Sequence, residues 1–344
     1  MNEKLIQTIY ENTRDLKDPI TNSPWHSGNN VDIAYKNGNV NISIAIKQNQ
    51  ELLYSKLIEE IKKIVQDIEG IFSVNVVLTS ESEKKVETSK EKKFNINAKK
   101  IIAIASGKGG VGKSTFAVNF ALALKEIGNN VGILDADIYG PSIPRMMGIS
   151  DKPKTNEFKK LIPLVNFDIK CMSIGFLIDV DTPAIWRGPM VMKALEQMFN
   201  GVEWGSLDYL IIDLPPGTGD AQLTLAQNSK LTGAIIVSTP QDVALIDVRK
   251  GINMFNKVNV PLLGIVENMS YFICENCNQK HKIFSSGGVK KESNKNNIPF
   301  LGELPIDINL RIRSDEGIPS CVSDIEGNIS KIFLSIAEKI QNKN

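Results

Sequence analysis

Cysteine is scarce in this chain, and net charge is almost absent. Four cysteines among 344 residues cannot build the disulfide framework that holds small secreted domains together. Two of them, Cys274 and Cys277, lie close in sequence, and in a reducing compartment such a pair reads as a metal or redox site. With 40 basic against 39 acidic residues, bulk electrostatics gives no reason to expect nucleic acid or an anionic membrane as a partner. No stretch reaches the roughly 18 apolar residues that cross a bilayer. The opening MNEKLIQTIYENTRDLKDP carries charges throughout, where a secretory signal would be apolar. These absences predict a cytoplasmic protein.

The length exceeds what one small hydrophobic core organises, which predicts a main domain and a smaller companion. Residues 1–80 read as a small α+β domain. A short helix is expected over 2–15, and alternating strands over 31–35 and 40–46 flank Asn37-Gly38, a two-residue hairpin signal. A helix over 50–67 follows, with Leu53, Leu57, Ile61, Ile64 and Ile68 at three- and four-residue steps, then a strand over 73–78. Residues 81–98 are charged and nearly free of apolar side chains until Phe94, which predicts a solvated linker. Over 99–344, short apolar runs at 101–105, 131–134, 209–212, 234–237 and 262–266 alternate with helical patterns. A parallel sheet covered on both faces reads this way, so the expected class is α/β with a doubly wound, mostly parallel sheet. No repeat of solenoid or propeller spacing is present.

The segment Gly107-Lys108-Gly109-Gly110-Val111-Gly112-Lys113-Ser114-Thr115 follows a predicted strand and opens a predicted helix over 114–127, the context that a phosphate loop requires. Its glycines let backbone N–H groups turn inward around phosphate oxygens, and the helix N-terminus adds a positive dipole end. Lys113 is expected to reach the β- and γ-phosphates of ATP, and Ser114 to ligate Mg2+. A glycine-rich turn with an incidental Lys-Ser is the plainer reading, and the spacing, strand and helix together argue against it. Lys108 is unusual, because a second lysine has no necessary role in cradling the phosphates of its own subunit; an exposed loop lysine is the alternative.

GKGGVGKST resembles the deviant Walker A signature of MinD, ParA, the nitrogenase iron protein and the Mrp/ApbC/Nbp-type iron-sulfur carriers. The resemblance implies a nucleotide-sandwich homodimer in which Lys108 reaches the partner's phosphates. Asp135 and Asp137 follow the run 131–134, at the carboxyl edge where open α/β sheets bind ligands. By resemblance Asp137 orients or deprotonates the attacking water, and Asp135 supports magnesium or the switch segment. Asp213 closes an apolar run as a Walker B aspartate does when it holds a magnesium-bound water, and Pro215-Pro216-Gly217-Thr218-Gly219-Asp220 would be the second switch. Asn268 matches the position whose amide reads adenine, and Pro305-Ile306-Asp307 resembles the loop that packs on that base.

Shortly after Asn268 the chain reads Ile273-Cys274-Glu275-Asn276-Cys277. Two thiols at this spacing suit one face of a metal site. The other cysteines, Cys171 and Cys321, are isolated, so one chain supplies half a site; in the implied homodimer, Cys274 and Cys277 of both subunits would bridge one [4Fe-4S] cluster. Zinc on Cys274, Cys277 and His281 with one further ligand, and a redox disulfide, stay open as rivals.

The stretches DADIYGPSIPRMMG, WRGPM, WGSLDYLIIDLPPGTGD, STPQDVAL and ENMSYFICENC narrow the resemblance to the Mrp/ApbC/Nbp-type carriers from about Lys99 onward. It implies slow ATP hydrolysis, cluster carriage, and apo iron-sulfur proteins and cluster assembly factors as partners. The N-terminal region resembles the small MIP18-like module in its order of elements. Versions of that module carry a reactive cysteine where this chain has Asn49-Gln50-Glu51, which points to docking or regulation. Two other functions compete. One is a MinD/ParA-like spatial organiser, for which the stripe Ile329, Ile332, Phe333, Ile336 and Ile340 would be a membrane anchor unless it packs on the sheet. The other is a metabolic P-loop ATPase stabilised by zinc.

Overall fold

The computed structural model describes residues 2–26, 31–36, 38–47, 50–81, 94, 96–177 and 188–342. The chain divides into two compact units, Met1–Lys90 and Glu91–Asn344.

The first unit contains α1 (Asn2–Asn12), β1 (Val31–Lys36), β2 (Asn39–Lys47), α2 (Glu51–Gln66) and β3 (Ser73–Glu81). Strands β1 and β2 pair antiparallel. After α2 the chain returns as β3, parallel to β2, a pairing that needs a crossover and not a tight turn. Alternation along β2 buries Val40, Ile42, Ile44 and Ile46 against Tyr54, Leu57, Ile61 and Val65 of α2. The sequence spacing puts Leu53 in that buried face, but it is exposed. Tyr54 takes the place, because its ring can be buried while its hydroxyl donates to Asp18 Oδ2 at 2.6 Å. Asn37 of the hairpin signal, Asn49 and most of the expected linker lie outside the described residues. Phe94, inside the linker range, is buried in the second unit and stacks on Phe199 with ring centroids 4.3 Å apart. An aromatic ring with a core within reach does not stay solvated, so Phe94 belongs to the packed second unit.

The second unit begins with β4 (Ala98–Ala105), α3 (Lys113–Glu126), β5 (Val131–Asp135), α4 (Ile143–Met146), β6 (Leu164–Asn166) and β7 (Ile169–Ser173). It continues through α5 (Gly188–Asn200), β8 (Leu207–Asp213), α6 (Asp220–Asn228), β9 (Gly233–Ser238), α7 (Asp242–Lys257) and β10 (Leu262–Glu267). It ends with β11 (Phe272–Ile273), β12 (Lys280–His281), α8 (Gly288–Lys295), β13 (Phe300–Glu303), α9 (Ile308–Glu316), α10 (Ser320–Ser323) and α11 (Asn328–Gln341).

Eight of these strands form one sheet in the order β13-β10-β9-β4-β8-β5-β7-β6. Every pairing in it is parallel except β6 with β7. The apolar runs of β5, β8, β9 and β10 are almost wholly buried, as strands covered on both faces must be. Strand β4 lies between β8 and β9, and the chain changes its direction of travel across the sheet beside it. Such a switch point opens a crevice at the carboxyl edge. The apolar stripe of α11 is spent on the core: Phe333, Ile336 and Ile340 are buried, and Phe333 sits 5.7 Å from Phe116 of α3. Packing against the sheet, not a free amphipathic face, is what the stripe serves. No helix among the described residues is long and apolar enough to cross a membrane.

Candidate functional site

Three carboxylates end parallel strands at the crevice. Asp135 of β5 and Asp213 of β8 are directly opposite in register, Glu267 ends β10, and all three are fully buried. The glycine-rich loop rises from β4 between them. Gly112 is left-handed with φ +83°, and a Cβ there would stand 2.2 Å from Asn268 Nδ2, so both conformation and space demand glycine. Lys113 opens α3. Its Nζ lies 2.8 Å from Asp213 Oδ1 and 3.6 Å from Asp137 Oδ2, and Ser114 Oγ donates to Asp213 Oδ2 at 2.5 Å. Side chains a hundred positions apart therefore converge on one point. The hydroxyl and carboxylate oxygens of Ser114 and Asp213 form the hard-oxygen donor set that suits Mg2+.

The two aspartates after β5 have different environments. Asp135 accepts hydrogen bonds from the backbone N–H of Asp137 (3.1 Å), Ser142 (3.1 Å) and Ile143 (3.2 Å) and from Ser173 Oγ (3.0 Å). It shapes the segment that follows it. Complete burial, with the Asp213 charge adding to it, pushes Asp135 up to about 7 despite Lys113. Burial likewise raises Asp137, which borders a cleft of about 250 Å³ together with Lys108, Gly109, Lys113, Ser114 and Pro216. The segment after Asp213 is tied to the same loop, with Gly217 N donating to Ser106 O at 2.9 Å. Lys108 Nζ donates to Gln241 Oε1 at 3.1 Å. Nothing local in the sequence marks Gln241, which is 133 positions away and becomes visible only once α7 is packed.

Asn268 Nδ2 donates to Val111 O at 2.8 Å, which braces the loop from behind. Beside it opens a second cavity of about 520 Å³, bordered by Asn268, Met269, Pro305 and Asp307. It shares Gly112, Thr115 and Met146 with the smaller cleft. The two form one groove with a glycine-rich, charged end and a more apolar end, the shape and polarity of a nucleotide site. Asn268 and Pro305, expected at a base, border the apolar end.

Cys274 and Cys277 occupy the turn of the β11–β12 hairpin. Cys274 N donates to Gln279 O at 3.0 Å, and Asn278 N donates to Cys274 O at 2.8 Å. The backbone N–H of Cys277, then that of Asn276, directed at the Cys274 sulfur lower its pKa, and the Cys277 thiol adds to this. Such a turn favours the thiolate that binds metal. Burial instead pushes Cys321 up to about 12 and raises Cys171 further, so neither is a candidate ligand. Among the described residues no three His, Cys, Asp or Glu side chains cluster as a metal site, and His281 stands opposite Phe272 in the hairpin ladder. In iodoacetamide labelling followed by peptide mass spectrometry, Cys274 is expected to react with an apparent pKa below the usual thiol value of about 8.5. Cys171 and Cys321 are expected to label only after unfolding; equal rates at all the cysteines would contradict the arrangement.

Residues 97–341 match the ParA-type family described as NUBPL iron-transfer P-loop NTPases. The chain belongs to that family. An Arabidopsis thaliana relative named as an iron-sulfur protein required for NADH dehydrogenase, mitochondrial, is 53% identical over 70% of this chain and 78% of its own length. An iron-sulfur cluster carrier protein of Synechocystis is 44% identical over 91% of this NUBPL-type chain and 90% of the relative, so that similarity extends into the first unit. A solved nucleotide-binding protein of Archaeoglobus fulgidus, in complex with ADP and with cobalt found in it, is 41% identical with a TM-score of 0.60. It covers 69% of this chain and 93% of that one.

Proposed function

We propose that this NUBPL-type chain is a cytoplasmic carrier that binds and slowly hydrolyses ATP. It holds a [4Fe-4S] cluster between two copies of itself and delivers it to apo iron-sulfur proteins, with assembly factors as its source. The observation that carries this reading is the two-thiol turn of Cys274 and Cys277, a half-site on a hairpin rooted at the nucleotide groove. Two such turns across a two-fold axis provide the four thiolates that a cubane cluster needs.

In this reading the backbone N–H groups between Gly107 and Thr115 hold the phosphates, and Lys113 exchanges its carboxylate partners for β- and γ-phosphate oxygens. Ser114 and Asp213 would hold Mg2+, which supplies charge neutralisation at the phosphates when bound. Asp137 orients the attacking water and takes up its proton; burial raises its pKa, which makes its carboxylate a stronger base than a free one. Lys108 leaves Gln241 to reach the partner's phosphates across the dimer. Asn268 and Pro305 hold the adenine, and Asp135 shapes the segment that presents Asp137. Hydrolysis resets the dimer interface, because passing a cluster between thiolates needs no phosphoryl chemistry.

Anaerobic reconstitution with ferrous iron and sulfide tests the proposal, read by absorption spectra and by iron counts on the resolved dimer. About four irons per dimer are expected. A protein that stays monomeric with nucleotide bound, or thiols filled with tightly held zinc on isolation, would overturn it.

A further inference from the structure

The cysteine hairpin is hydrogen-bonded to the loops that border the nucleotide groove, and one buried side chain holds both of its roots. Glu267, the last residue of β10, is wholly buried. Its Oε1 accepts from Ser270 Oγ at 2.6 Å and from Gly287 N at 2.9 Å, and its Oε2 accepts from Val289 N at 2.9 Å. Ser270 stands where the chain leaves for the hairpin. Gly287 and Val289 stand where it returns, at the start of α8, whose N-terminus has no side-chain cap of its own. All three partners donate, and a carboxylate is the side chain that accepts at both oxygens without presenting a donor. Burying it is costly; three hydrogen bonds and the positive end of α8 offset that.

The same strand end also holds the groove. Asn268, the next residue, braces the phosphate loop through Val111 O. Met269, left-handed at φ +55°, then turns the chain so that Ser270 N donates to Leu304 O at 2.9 Å and Tyr271 O accepts from Ile306 N at 2.6 Å. Phe272 and Ile306 form a parallel bridge. Ile306 and Asp307 border the larger cavity, so the wall of the base end and the first strand of the hairpin are bonded to each other.

We propose that Glu267 is the positioning residue of the cysteine pair: by clamping Ser270 and the start of α8 to the end of β10, it makes the hairpin move with the base-side wall of the groove. Filling the groove then alters the exposure of Cys274 and Cys277 within one subunit, before any dimer forms. This rests on reading the groove as a nucleotide site and the pair as the cargo site.

The test is the rate of iodoacetamide labelling at Cys274, at one fixed pH, with and without magnesium-ADP, in the apo full-length chain. The wild type is expected to show a ratio differing from one by about fivefold or more, the usual scale of a coupling between sites. Ser270→Ala removes the side-chain tie at the outgoing root, keeps the backbone bonds to Leu304 and Ile306, and leaves the clamp on α8. It should move the ratio at least halfway to one while ADP affinity stays within about threefold and the thermal transition stays cooperative. Glu267→Gln, whose amide would face a donor, should do the same; where it fails to fold, Ser270→Ala decides. A wild-type ratio of one, or a wild-type ratio retained in Ser270→Ala, overturns the proposal, because a clamp that only adds stability would shift the melting temperature and leave the ratio unchanged. Reconstitution without iron uptake would remove the cluster reading and leave the labelling ratio standing, so the two failures are distinguishable.

Discussion

Lys113→Ala is expected to abolish binding of magnesium-ATP and to leave a ligand-free protein whose stability falls as pH rises. The first effect follows from position: Lys113 is the buried cation at the meeting point of Asp213, Asp137 and the glycine-rich loop. The alanine variant presents triphosphate with buried carboxylates that have lost their buried lysine, and titration calorimetry should show no heat at millimolar ATP. The second effect follows from the same ion pairs. Removing one partner of a buried pair costs about 3–5 kcal/mol, because the remaining charge is left uncompensated. That cost depends on protonation. Asp135 is already raised from 3.8 to about 7 with Lys113 nearby and lowering it. A carboxyl raised in the folded state binds its proton more tightly there than in the unfolded chain. Its contribution is complete below the unfolded value and is lost as pH rises through the folded one. Without Lys113 the folded pKa values of Asp135 and Asp137 move further up, so the loss extends past pH 7. Urea unfolding should therefore show the variant most destabilised relative to wild type at pH 8, with the gap narrowing toward pH 5. A gap that widens toward acid would contradict the assignment of Lys113 as the cation of this cluster.

What could be read from the sequence is what local chemistry dictates. The apolar runs of β5, β8 and β10 announce buried strands because each has no polar position to spare. The phosphate loop is legible because strand, glycines, Lys113 and helix are contiguous. Asp213 is legible because a single carboxylate closing an apolar run has few other reasons to be there. Glu267 closes β10 in the same way and was available to that argument, but its donors at Ser270, Gly287 and Val289 come from a loop whose return point the sequence does not mark. Gln241 is silent for a related reason: its contact with Lys108 exists only after β9 and β4 pair and bring α7 beside the loop. Tyr54 in place of Leu53 shows the limit of periodicity, since Leu57 and Ile61 keep the expected face while one position at its start passes to a neighbour whose hydroxyl finds Asp18. Strand order is further still from sequence, because it depends on which crossovers pack on which face.

Cys274→Ala should lower the iron held after reconstitution from about four per dimer to less than one, while leaving ADP affinity within about threefold of wild type. The separation is argued from what holds the hairpin. Its roots are fixed by Glu267, Ser270 and the backbone of Ile306, and the turn itself by the amide of Cys274 to Gln279 O and the carbonyl of Cys274 from Asn278 N. None of these bonds uses the sulfur; removing it frees only the N–H groups of Cys277 and Asn276, which are at exposed positions open to water, and leaves the roots and the groove wall in place. The stability cost is small, since Cys274 is only partly buried. In the proposed homodimer the loss at the cluster is doubled by symmetry, because one substitution would delete two of the four thiolates. A mixed dimer with one altered subunit keeps three thiolates and should retain iron with a shortened lifetime, read as faster bleaching of the cluster absorption by a chelator. If the homodimeric variant kept about four irons, the cluster would have to sit on other ligands. The buried, strongly protonated thiols of Cys171 and Cys321 are poorly suited to that role, so such a result would count against cluster bridging by this chain altogether.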